Sequence, residues 1–255
     1  MECTKLTNPP LVEAIFEIKW ELQQNSINFP PIEPHYQILI GSLYEKIKDQ
    51  YPFHEQLSSV MMPSDMAAYV IQHRFRKSEN QWPLIQLGPG ILTLNETERY
   101  SWTDFFSRTK GVLEKFYESY PETDKIKIKN LKLRYLDVID FDYKDNILVF
   151  LEQKMGIQLN MPETLFEDTN VHNLPIAFDI RLTYPNCDLG NATIRLTRGE
   201  KNKKEAIILE TNIETDAAHI PEDRDQIIRW IDKSHVLCRQ WFQKLCEGEL
   251  LEMFK

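Results

Sequence analysis

The stretch Asn8 to Trp20, NPPLVEAIFEIKW, constrains the fold of this chain more than any other. Pro9 and Pro10 cannot donate ladder hydrogen bonds, so a strand must begin after them rather than run through them. The residues beyond them alternate with a period of two. Val12, Ala14, Phe16, Ile18 and Trp20 share one face, and Glu13, Ile15, Glu17 and Lys19 share the other. Such a strand packs against a core on one side and meets water or a cavity on the other.

The later pattern supplies strands in runs. A Pro-rich turn from Phe29 to Pro34 precedes a predicted helix over 35–50, with Ile38, Leu39, Leu43 and Ile47 at helical spacing. Alternation predicts strands over 66–76, 82–87 and 91–95, the last two joined at Gly88-Pro89-Gly90. Ser101 is the expected N-cap of a helix reaching Tyr120, striped by Phe105, Phe106, Thr109, Val112, Leu113, Phe116 and Tyr117. A long strand over 125–141, bulged near Asn130, leads to a helix over 146–155 that Gly156 stops. An irregular stretch over 158–173 comes next. Strands over 175–184, 192–198 and 205–214 read as hairpins, and a long helix runs from Asp223 to about Gly248 with Ile227, Ile231, Leu237, Trp241, Phe242 and Leu245 on its buried side.

Runs of strands favour an α+β fold over a parallel, doubly wound one. The two halves, about 1–121 and 122–255, share one order of strand, helix, strands, helix, without a residue-level repeat. No low-complexity linker parts them. The expectation is one α+β domain over 1–255. Its sheet is largely antiparallel and pseudo-duplicated, with long amphipathic helices packed on one face.

Composition narrows the function. The chain carries 30 basic and 39 acidic residues, a net charge of −9, which disfavours broad binding to phosphate backbones and hence to nucleic acid. No apolar run approaches the roughly 20 residues of a membrane helix, and no secretory leader opens the chain. Cys3, Cys187, Cys238 and Cys246 form no CxxC pair and no zinc-type spacing, as for reduced thiols in a cytoplasm. The six histidines form no HxH, HxxxH or HExxH. Gly88-Pro89-Gly90 is no phosphate loop, and no GxSxG anchors a nucleophile. Neither a catalytic residue nor a cofactor or metal site is assigned.

The polar face of the first strand is the strongest chemical candidate. Triphosphate-tunnel enzymes use a Glu-x-Glu-x-Lys strand whose carboxylates hold a divalent metal while basic residues bind phosphate. Here Glu17-Ile18-Lys19 fits the end of that pattern, but Ile15 replaces the first Glu and Glu13 sits one step back. Arg134, Arg181 and Arg195 stand on polar faces of later strands. Together Glu13, Glu17, Lys19, Arg134, Arg181 and Arg195 make a candidate anion-binding or ion-pair cluster. A solvated sheet face with cross-strand ion pairs shows the same alternation. Arg134 and Tyr135 point to opposite faces, so Arg134 reads first as a counter-ion for Glu13 or Glu17. Tyr100, Trp102, Phe105 and Phe106 open a helix and read as core rather than as a base-stacking platform.

The segment from Pro9 to Ile18, the Gly88–Asn95 turn and strand, Tyr100, Trp102 and Phe105, Leu133-Arg134-Tyr135, and the His235–Phe242 helix carry a resemblance. Together they resemble a sporadically distributed family of uncharacterised bacterial proteins, over nearly the whole chain. Two stretches depart from its pattern. Leu136-Asp137 stands in place of isoleucine and asparagine, and Glu210-Thr211-Asn212 in place of an aspartate-rich strand. The family implies no established reaction, and its patchy distribution suggests a defence or toxin–antitoxin context. The expected function is a non-catalytic cytoplasmic binding protein with a protein partner. The outward Arg229, Lys233 and Arg239 of the last long helix offer it one surface, and an exposed end strand offers pairing as a homodimer. The alternative is an enzyme or sensor that binds a phosphorylated small molecule or nucleotide with a divalent metal in a charged sheet cavity.

Overall fold

The computed structural model describes residues 6–24, 30–97 and 100–255. Cys3 and Phe29 lie outside the described residues. The described residues form a nine-stranded sheet in which every pairing is antiparallel. Strand β1 (Leu11–Trp20) lies inside it, between β5 (Ile91–Glu96) and β6 (Ile128–Asp140). Beyond β5 come β4 (Leu84–Gly88), β3 (His73–Arg76) and β2 (Phe53–Gln56). Beyond β6 come β9 (Lys204–Glu214), β8 (Gly190–Lys201) and β7 (Asp179–Asn186).

Register divides the sheet into two faces. Ala14, Phe16 and Ile18 on β1 share a face with Leu92 and Leu94 on β5, with Leu131, Leu133, Tyr135 and Asp137 on β6, and with Leu209, Thr211 and Ile213 on β9. This face buries the core. Helices α1 (Tyr36–Ile47), α2 (Trp102–Ser119) and α4 (Arg224–Leu245) cover most of it, and α3 (Ile147–Met155) and α5 (Glu249–Glu252) cover the part near Ile139, Leu196 and Leu209. None of the helical side chains in either core cluster meets the opposite face, which carries Glu13, Glu17, Lys132, Arg134, Glu210 and Arg195.

Local chemistry explains the boundaries. The Ser101 hydroxyl accepts from the Asp104 amide at 3.3 Å and starts α2. Asn146 Oδ1 accepts from the Leu148 and Val149 amides at 3.0 and 3.3 Å, and Gly156 ends α3 in the left-handed region at φ 66°. Asn202 and Lys203, at φ 52° and 65°, make the two-residue turn between β8 and β9. At Gly88 any side chain would collide with backbone, since a Cβ there would stand 2.0 Å from the Val70 carbonyl oxygen.

Several expectations need correction. The strand expected over 66–76 is confined to His73–Arg76, because turns occupy 64–69 and Tyr69 sits at φ 60°, outside strand conformation. The sequence pattern misses β2, a four-residue edge strand too short to show periodicity. Ile38 is 60 % exposed, and Tyr36 takes its place in the buried stripe of α1. Trp230, Ser234 and Cys238 join Ile227 and Ile231 on the buried side of α4, while Leu237, Trp241, Phe242 and Leu245 are half-buried. The register of β1 against β6 shifts between Lys19 and Trp20, opposite Asn130 and Ile128, where a bulge is expected.

Glu33 ties this frame together at one end. Its carboxylate, 8 % exposed, accepts from the Trp20 indole, from the Tyr120 hydroxyl at 2.9 Å and from the His35 amide at 3.1 Å. The end of β1, the start of α1 and the end of α2 thus meet on one side chain. Glu33→Ala leaves two buried side-chain donors without an acceptor, and each such loss costs about 1–3 kcal/mol. Urea unfolding of this variant is expected to show a loss of about 2–6 kcal/mol with an unchanged m-value. A loss near zero would mean that water replaces the carboxylate.

Candidate functional site

Two arrangements stand out, one on each face of the sheet. The helix-free face carries all six residues of the sequence-derived cluster. Glu13 accepts from Asn95 Nδ2 at 2.8 Å. Asn95 Oδ1 in turn accepts from Gln86 and from Thr93, and Gln86 accepts from Arg74 Nε at 3.0 Å. A hydrogen-bonded track therefore runs from β3 to β1. Glu17 pairs with Lys19 on its own strand at 2.8 Å, and Lys132 pairs across strands with Glu214 at 2.8 Å.

The arginines gather around Glu210. Arg134 Nε lies 3.9 Å from one Glu210 oxygen and Arg195 Nη1 lies 4.0 Å from the other. Asn212 Nδ2 donates to Glu210 Oε1 at 3.1 Å. Arg195 also grips Asp179 with two bonds of 2.7 and 2.6 Å, which holds the Asp179 carboxyl below its ordinary pKa and the Arg195 guanidinium above its own. Arg134 faces Asn212, and its partner is Glu210 rather than the Glu13 or Glu17 expected from sequence, because Ile15 is its neighbour on β1. Arg134 Nε is buried without a hydrogen-bond partner among the described residues. Arg181 is exposed and stands opposite Arg195 on the edge strand.

The six do not converge. Glu13 on β1 and Arg181 on β7 are four strand spacings apart, about 19 Å at about 4.8 Å per spacing. They fall into a β1 group and an arginine group around β9. Two clefts in the described surface are lined by other residues. One, of about 480 Å³, lies among Glu33, Tyr36, Gln56 and His73, and the other, of about 300 Å³, among Tyr143, Ile147, Ile176 and Arg198. Among the described residues, no group of three or more His, Cys, Asp or Glu could hold a metal ion.

The second arrangement is buried under α2 and α4. Tyr100 and Tyr135 bring their hydroxyls to 3.1 Å, and the Tyr135 hydroxyl lies 2.8 Å from His235 Nδ1. Trp102 stacks on the His235 ring with centroids 3.7 Å apart. Cys238, one turn after His235, lies near Thr211, and Asp137 lies two positions along β6 from Tyr135. Burial pushes the Cys238 thiol up to about 12 and the Asp137 carboxyl up to about 7. Burial, with Arg239 nearby, pushes His235 down to about 4. At neutral pH this knot thus holds a neutral imidazole, intact phenols and an un-ionised thiol, which suits packing rather than nucleophilic attack. The residue pattern alone misses its assembly. The signal lay in Tyr100, Trp102, Tyr135 and His235, which come from three separated motifs of the resemblance and meet here.

The chain matches no family model, and no curated protein matches it. No helix among the described residues is long and apolar enough to cross a membrane.

Asp137 and His235 make opposite contributions to pH dependence. Asp137, raised from 3.8 to about 7, contributes stability that is present below pH 3.8 and is lost as pH rises towards 7. His235, lowered from 6.5 to about 4, contributes stability that is present above pH 6.5 and is lost as pH falls towards 4. The two slopes offset each other between about pH 4 and 6.5. Relative to the parent chain, Asp137→Asn is expected to lose stability on acidification through that window, and His235→Gln to gain it. Urea midpoints of both variants at several pH values check this. Parallel curves for parent and variants would contradict it.

Proposed function

We propose that this chain is a non-catalytic binding protein whose recognition surface for a protein partner is the helix-free face of the sheet. One observation carries the reading. The charges on that face are arranged mainly in pairs across several strands, at Glu17–Lys19, Lys132–Glu214, Arg195–Asp179 and Arg134–Glu210, rather than around a shared hollow. Such a surface is held in place by its own bonds, so side chains lose little freedom on docking. Its mixed sign suits a partner of alternating charge better than a polyanion. The resemblance adds a defence or toxin–antitoxin setting in a bacterial cytoplasm as part of the proposal.

A specific observation favours the alternative at one point. The unmet Arg134 Nε donor beside Arg195 is chemistry for a phosphate group. In that reading the arginine pair would bind a phosphorylated small molecule or nucleotide.

We also infer pseudo-duplication. The sheet runs outward from β1 as β5, β4, β3 and an extra edge strand β2, and outward from β6 as β9, β8, β7, each half adding a helix after its first strand and another after its last. Superposing residues 11–119 on 128–245 without matching β1, β5 and α2 to β6, β9 and α4 would sink that inference.

Capture of partners on the immobilised protein tests the main reading. Lys132→Glu with Arg195→Glu is expected to abolish capture, while Lys233→Glu on the outer side of α4 retains it. Capture that survives the double change, or that is lost only with Lys233→Glu, would overturn the assignment of the face. Melting temperatures with nucleotides, polyphosphate and divalent metals test the alternative, since binding to the folded state raises them. A rise that disappears in Arg134→Ala would move the conclusion to a phosphate ligand. Glu17→Ala is expected to change stability by under about 1 kcal/mol, because its ion pair is reached by solvent.

A further inference from the structure

The described surface has one concentration of apolar side chains. Fourteen large apolar residues are exposed, and Leu159, Met161, Leu165, Val171, Leu174, Ile176, Leu182 and Tyr184 among them fall within 159–184. That stretch leads into and includes β7, an eight-residue strand that, among the described residues, pairs on one side only, with β8. The opposite edge, β2, has four residues. A long, apolar edge is a template for another strand, and proteins commonly leave such an edge short, charged or covered.

The pairing of β7 decides which of its backbone groups are free. The Arg198 amide donates to the Phe178 carbonyl. Hydrogen-bonded pairs alternate along an antiparallel ladder, so even-numbered residues of β7 turn their backbone groups to β8. Asp179, Arg181 and Thr183 therefore turn theirs outward, and Pro185, also outward, has no N–H to offer. Arg181 stands opposite Arg195, a like charge, and feels Asp179 without forming a salt bridge to it among the described residues.

We propose that β7 pairs with β7 of a second copy of this chain, antiparallel across a two-fold axis at Ile180. This register sets Asp179 against Arg181 of the second copy, twice, at outward-bonding positions. It sets Ile180 against itself and Leu182 against Phe178 on the core-side face, and brings Tyr184 to the 84 % exposed Ile176. The prolines at 175 and 185 then face each other at both ends of the ladder, where no donor is lost. Competing registers are poorer. An axis at Arg181 opposes arginine to arginine, and an axis at Asp179 opposes aspartate to aspartate. An axis at Leu182 sets Asp179 against Pro185 and leaves Arg181 facing Thr183. The paired sheets would join the two helix-free faces into one surface, presenting the proposed recognition site twice. The pairing itself stands independently of that reading.

Light scattering and cross-linking of the full chain test this, with Cys3 and Cys187 changed to Ser. The parent is expected to be a dimer. Ile180→Cys is expected to link to its own copy under mild oxidation, because opposed residues in a non-bonded pair have Cα atoms about 4.5 Å apart, within the span of a disulfide. Leu182→Cys is expected to stay unlinked. Arg181→Asp should weaken the dimer about tenfold or more. Asp179→Arg with Arg181→Asp should restore it, since the carboxylate then placed at position 181 faces Arg195 within the chain. Circular dichroism confirms that each variant is folded. A monomeric parent, linkage at position 182 instead of 180, or a dimer indifferent to Arg181→Asp would each overturn the proposal.

Discussion

Both edges of β1 are used. Its backbone pairs with β5 on one side and β6 on the other, in register over most of its length. With a side-chain period of two, that double pairing leaves its apolar residues only one face on which to be buried. Phe16 aligns with Leu94 and Leu133, and Ile18 with Leu92 and Leu131. Each neighbour extends the same apolar row outward, and the helices have one place to go. A slip of one residue would put Glu17 in the core and Phe16 in water, so the whole two-layer arrangement depends on this register.

The polar face obeys the same constraint. Many of its residues are held by bonds to one another rather than buried under helices. Thr93, Asn95, Glu210 and Asn212 are under a tenth exposed, although they lie on the face opposite the core clusters. Longer neighbours such as Arg134, Glu13 and Gln86 shelter them, and hydrogen bonds satisfy them. A face organised in this way has a fixed pattern of charge before any partner arrives, and that fixed pattern is the basis for reading it as a recognition surface.

On the core side, the tyrosine–histidine knot shows how burial alters polar groups without making them reactive. Trp102 stacks on the ring of His235, the Tyr135 hydroxyl meets its Nδ1, and desolvation keeps it neutral. Asp137 is held un-ionised over most of the acidic range by the same low-polarity surroundings. Three segments distant in sequence, the start of α2, the middle of β6 and the middle of α4, are joined there. The knot therefore fixes how the two long helices sit on the sheet.

Element type was legible from the sequence wherever the repeat was long. The alternation of β1 and β6, the cap at Ser101 and the stop at Gly156 are local physics, readable from neighbouring residues alone. The sequence also showed that Glu13, Glu17 and Lys19 share a face, because that needs only the period of a strand. Long alternation misled at 66–72, where turns and the positive φ of Tyr69 override a strand-like pattern, and β2 was too short to be seen. Strand order was not legible. It placed β9 between β6 and β8, which paired Arg134 with Glu210 instead of a β1 carboxylate and set Arg181 beyond reach of Glu13. It likewise left β7 as an edge and gathered Tyr100, Tyr135 and His235. Periodicity records which face a residue takes; only the pairing of distant strands decides which residues share that face side by side, because the contacts between them are non-local.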